Sequence, residues 1–135
     1  MRQRGVDLYL SGHHHAFYPG HKDGVHYVSQ SCLGAGPRRL IGSAERSRRS
    51  LTLIELDGQQ IRIAALQSPS FTRPIDWACL PVRIRSETAE LIRADLVDGA
   101  LDGSRQETPR GGKGREGFSL IRLRQPEDRA PRGPH

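Results

Sequence analysis

Long apolar runs are missing from this chain. No stretch of its 135 residues approaches the ~20 needed to span a bilayer as a helix. The opening MRQRGVDLYL lacks both the apolar stretch and the small-residue cleavage site of a signal peptide. A soluble chain is expected, with its compartment unassigned. Cysteine is scarce as well. Cys32 and Cys79 are too few for a disulfide framework and too far apart for a CxxC redox or zinc pair, so both read as inert thiols. Hydrophobic residues make up 35% of the chain and aromatics 5%, while Gly and Pro number 15 and 9. One core at most is expected, with part of the chain unpacked.

Positive charge is in surplus. The net charge of +6 favours anionic partners such as phosphate esters, nucleic acid or acidic membrane surfaces, without choosing among them. Much of the excess lies in PRRLIGSAERSRRS (37–50) and in the tail from Asp102 onward, not along one amphipathic helix, which is the pattern of a solvated surface.

Alternation of Val6, Leu8 and Leu10 with Asp7, Tyr9 and Ser11 predicts a strand over 6–11. The Asp23-Gly24 turn leads into VHYVSQS (25–31), rich in β-formers and ended by the glycines and proline of CLGAGP (32–37). LTLIELDGQQIRIAAL (51–66) places Asp57-Gly58 between two alternating runs, which predicts a hairpin with a tight turn. In SETAELIRADL (86–96), Ser86 has the place of an N-cap and Ala89, Ile92 and Leu96 share one helical face, predicting a helix. Phe71 and Trp77, near Pro69 and Pro74, are expected to pin the segment after the hairpin against the core. From Leu101 to His135 only Phe118, Leu120, Ile121 and Leu123 offer themselves for burial, so that tail is expected to be mostly disordered.

Three consecutive histidines follow the first strand in SGHHHAFYPG. In an extended segment alternate side chains share a face, which sets His13 and His15 on one side, about 6.6 Å apart at their α-carbons, and His14 on the other. Imidazole nitrogens bind first-row metals at about 2.0–2.1 Å, and paired catalytic metals lie about 3.5–4 Å apart. Alternate histidines therefore suit a dinuclear centre, with Gly12 leaving the approach open. A polar, exposed loop is the competing reading. His21 and His26 flank the next turn and read as surface or singly hydrogen-bonded histidines. Arg38 and Arg39 in GAGPRR (34–39) are weaker candidates for phosphate contact.

GVDLYLSGHHHAFYPG, GVHYVSQSCLGAGPRRLIG and the 51–66 hairpin together resemble the C-terminal part of a calcineurin-like metallophosphoesterase, closest to the bacterial purple-acid-phosphatase-like members. The resemblance covers roughly residues 5–67, and its most specific element is G-H-x-H at the end of a core strand. It implies an α/β fold, the αββα sandwich of that family, of which this chain would be a mainly β part with one helix and a disordered tail. It also implies that His13 binds one metal and His15 the other, in a centre of two divalent or trivalent ions of the Fe, Zn or Mn type. The family's other motifs, D-x-H, G-D-x-x-D and G-N-H, do not occur here, and asparagine is absent altogether. No catalytic residue is therefore assigned.

The resulting expectation is a C-terminal fragment of a phosphoesterase that hydrolyses phosphate esters and is inactive alone, its partner being the missing N-terminal half. Residues 1–80 belong to that domain in this reading, 81–101 form a helical extension and 102–135 a disordered basic tail. Two alternatives stand beside it: a basic nucleic-acid-binding module, disfavoured by the shortage of aromatics for stacking, and an inactive gene remnant.

Overall fold

The computed structural model describes residues 5–58, 60–101 and 119–122. Two β-sheets and one helix make up the fold. The first sheet contains β1 (Leu8–Ser11), β2 (Tyr18–Lys22), β3 (Val25–Ser29), β7 (Arg83–Arg85) and β8 (Glu90–Arg93), in the order β1-β3-β2-β8-β7. The second contains β4 (Ser50–Asp57), β5 (Gln60–Gln67), the short β6 (Arg73–Pro74) and β9 (Ser119–Arg122), with β5 pairing all three others. A helix, α1 (Ala94–Leu101), follows β8 directly and lies against β2, β8 and β9.

The Asp23-Gly24 turn forms where expected, whereas at the second Asp-Gly pair Asp57 stays in β4, opposite Gln60, and only Gly58 takes a positive φ. Asp23 and Gly24 both take positive φ (50° and 75°), which joins β2 to β3 with Lys22 opposite Val25. Gly58, at φ 57°, opens the two-residue loop between β4 and β5, whose register runs from Asp57↔Gln60 to Ser50↔Gln67. Alternation along β5 then sends Ile61, Ile63 and Ala65 into the core. There they meet Phe17, just ahead of β2, and Val28 from β3, with Trp77 and Ala94 completing the cluster. Trp77 takes the anchoring role expected of it, its ring 6.2 Å from that of Phe17. Phe71 is only half-buried.

β2 was concealed by its own composition, because Tyr-Pro-Gly reads as a turn. Pairing with β8 covers only Gly20 and His21, so Pro19 faces a single ladder and its missing N–H interrupts little. Gly20 is required by a close approach: a β-carbon there would lie 3.0 Å from Leu91 Cδ1 and 3.3 Å from the Tyr27 carbonyl oxygen.

The helix expected over 86–96 is a correction. Residues 83–93 form the β7–β8 hairpin instead, extending the first sheet, and helix begins only at Ala94. Ser86 does accept a hydrogen bond from the Ala89 N–H (3.1 Å), as an N-cap would, but its own N–H donates to the Ala89 carbonyl (2.8 Å), closing a tight turn. The same side-chain bond serves both structures. Tertiary contacts decide between them. Arg83 Nη1 (2.8 Å) and Arg85 Nε (2.6 Å) donate to the Glu90 carboxylate across the hairpin, holding its carboxyl below the usual carboxylate range, chiefly through the Arg85 hydrogen bond. Arg93, buried at the end of β8, donates from Nη1 to the Trp77 and Leu80 carbonyls (2.7 and 2.8 Å) and from Nε to Asp95 (2.7 Å).

The disordered tail is corrected in part, since Ser119–Arg122 pairs antiparallel with β5 from Ile63↔Ser119 to Gln60↔Arg122. Phe118, Leu123 and the remainder of 102–135 lie outside the described residues. Among the described residues no helix is long and apolar enough to cross a membrane.

Candidate functional site at the histidine turn

β1 and β2 flank β3 on opposite sides, β1 parallel to it and β2 antiparallel. Residues 12–17 must therefore carry the chain across the C-terminal end of β3, over two strand spacings or about 9.5 Å. That demand explains why the histidines form a turn. His13 and His14 lie within it, exposed, and His15 is half-buried with the left-handed φ of 54°. The extended-chain alternation inferred for these residues is corrected: the chain turns here, and the rings of His13 and His14 lie 6.0 Å apart, edge to face. The left-handed residue is His15, while a β-carbon on Gly12 would meet nothing within 4 Å.

The turn is fastened from below and from one side. Ser29 Oγ, at the end of β3, donates to the Ala16 carbonyl (2.8 Å), and the Gln30 N–H donates to Ser11 (2.7 Å). From the side comes the 30–49 segment, where the Arg38 N–H donates to the His15 carbonyl (3.2 Å). His15 Nδ1 lies 3.2 Å from the Gly36 carbonyl oxygen. A carbonyl only accepts, so Nδ1 carries the proton and Nε2 keeps its lone pair when the ring is neutral. A backbone carbonyl on one ring nitrogen is the arrangement that orients a metal-binding imidazole through the other. His15 thus fits a metal ion by its tautomer. Nothing in the sequence pointed to Gly36 as the group that fixes it.

The supporting segment is basic and tied down. Ser31 Oγ donates to the Arg48 carbonyl (2.8 Å), Cys32 Sγ to Ala35 (2.8 Å), the Ser47 N–H to Arg38 (3.0 Å) and Arg49 Nε to Ala35 (3.3 Å). Cys32 is buried and engaged, while Cys79 is exposed. Arg38, Arg39, Arg46, Arg48 and Arg49 are all exposed.

A cavity of about 240 Å³ lies beside the turn. It is lined by Ser11, Tyr18 and Ser29 from the first sheet, and by His14 and Ala16 of the turn, among others. Tyr18 is 1% exposed and donates its hydroxyl to the Pro81 carbonyl (2.9 Å). Burial pushes its pKa up to about 12, against an opposing pull from Arg93.

Of the other histidines, His26 is a correction to the surface placement considered for it. It is buried, and its ring stands 4.9 Å from that of His21, its partner across the β2–β3 ladder. Among the described residues no three His, Cys, Asp or Glu side chains gather as a metal-binding group. No protein-family model, curated protein or solved structure matches the chain.

Proposed function

We propose that this chain is the C-terminal part of a metal-dependent phosphoesterase with the αββα sandwich of the calcineurin-like family, and that its histidine turn supplies His13 and His15 to a two-metal centre. The supporting observation is the hydrogen bond from His15 Nδ1 to the Gly36 carbonyl, which leaves Nε2 as the ligating atom on a turn just past a strand end. His13, exposed two residues earlier, is the companion ligand. The ions, when bound, would activate water and stabilise charge on the transferring phosphoryl group. The chain's own part is to hold two imidazoles in place. Bridging carboxylates have to come from elsewhere in the enzyme, because two neutral imidazoles do not hold a pair of divalent ions against water.

Metal titration of the purified chain tests this reading. Weak binding of Zn²⁺ or Mn²⁺ is expected, lost in His13→Ala and in His15→Ala and retained in His14→Ala, with no hydrolysis of an aryl phosphate. Binding that survives both losses, or metal bound through His21 and His26, would contradict it.

A further inference from the structure

Two chemically different sets of residues line the cavity beside the histidine turn. One is His14 and Arg39, both exposed. Arg39 has no carboxylate partner among the described residues, so its guanidinium is free to meet an anion. Ser11 and Ser29 add two hydroxyls, and most of the remaining lining is apolar or aromatic, including Ile41 from the basic segment, Ile84 from β7, Leu91 from β8 and Tyr27 from β3. Leu91 reaches this face because Gly20 beneath it has no side chain. Ile41 stays 51% exposed, an apolar residue with nothing yet packed on its outer side.

We infer that this cavity binds the organic group of a small aromatic phosphate ester, with Arg39 and His14 holding its anionic end at the histidine turn. The inference rests on the phosphoesterase reading and adds the substrate class to it. Size fits this class: a cavity of about 150 Å³ admits benzene, so about 240 Å³ takes one ring with a substituent. The mainly apolar lining favours an apolar organic group over a glycerol or sugar ester, most of whose hydroxyls would lose water with only Ser11 and Ser29 to meet them. Arg39, by contrast, recognises the phosphate whatever is attached to it.

Two parts of one ligand thus meet two separable parts of the site. The test is a metal-free NMR titration of the chain with phenyl phosphate, methyl phosphate and inorganic phosphate. Phenyl phosphate is expected to bind most tightly and to shift the Leu91 and Ile84 methyl signals, which the other two leave in place. Arg39→Gln should weaken phenyl and methyl phosphate alike, by about tenfold, the loss of one charge-assisted contact. Ile41→Ser should weaken phenyl phosphate alone, by about fivefold, as removal of apolar contact predicts. Both residues are exposed, so neither change threatens folding. Equal binding of the three anions, with the methyl signals unmoved, would overturn the inference and leave only an anion on the arginine segment. Failure of the metal titration leaves this result standing, and failure here leaves the metal ligands standing, so the two readings fall separately.

Discussion

Two hairpins of this molecule follow opposite logics. The β4–β5 hairpin carries its instructions locally, with a glycine at φ 57° in a two-residue loop and β5 residues alternating into the core. The β7–β8 hairpin carries a turn that equally suits a helix start, and it becomes a hairpin because distant groups claim its residues. β8 pairs with β2 and Arg93 clamps the Trp77 and Leu80 carbonyls, while within the hairpin Glu90 is gripped by Arg83 and Arg85. A local rule predicts a segment well when tertiary structure agrees with it and fails when tertiary structure has a competing offer.

The sharpest way to break this comparison is to remove the core side of the first hairpin. Ile63 is fully buried, and Ile63→Ala should cost about 3–4 kcal/mol in urea unfolding, the range for deletion of a large aliphatic side chain from a packed interior. Loss of less than about 1 kcal/mol would mean that the two sheets do not share the core described here.

The second effect concerns the tie between β2 and the start of the second hairpin. Tyr18 keeps its phenol proton to about pH 12 in the folded chain, against 10 in the ordinary group. Below pH 10 both folded and unfolded chains hold the proton, and no stability is lost. Between pH 10 and about 12 the unfolded chain ionises first, which removes about 2–3 kcal/mol of stability. Tyr18→Phe should flatten that decline in unfolding measured from neutral pH to 12. At neutral pH the same change costs about 1 kcal/mol, the hydrogen bond to Pro81. A decline of equal depth in the variant would place the titration elsewhere.

The smallest effects separate the two turns themselves. Gly58→Ala should cost about 1 kcal/mol because alanine takes a left-handed conformation with strain. Glu90→Gln should have a small effect that vanishes in molar salt, since the arginines it pairs with are exposed. A Gly58→Ala penalty that disappeared with salt, or a Glu90→Gln penalty that persisted, would reverse the assignment of a conformational basis to one hairpin and an electrostatic one to the other.

What could be read from the sequence follows the same division. Alternation and Asp-Gly turns revealed β1, β3, β4 and β5, although Leu10, Leu53 and Leu56 of those patterns are exposed. β2 was hidden by Pro19 and Gly20, which the sheet tolerates only through the placement of β8. β9 was hidden because Leu120 and Ile121 sit in a polar stretch whose partner, β5, lies far away in sequence. At the candidate site the residue types were legible and the geometry was not. An extended G-H-H-H would have paired His13 with His15 by alternation, whereas crossing the end of β3 makes a turn and leaves His14 facing the cavity. The Gly36 carbonyl that fixes the His15 tautomer is a backbone group 21 residues away, and no side-chain pattern announces it.

The metal reading stands on that tautomer, and ¹⁵N NMR of the six imidazoles, with and without Zn²⁺, measures it directly. The expected spectrum has His15 protonated on Nδ1 in the metal-free chain, and Zn²⁺ then moves the Nε2 signal of His15 together with a ring signal of His13, leaving His21 and His26 in place. His15 protonated on Nε2, or Zn²⁺ acting first on His21 and His26, would contradict the proposal that this turn carries a metal centre.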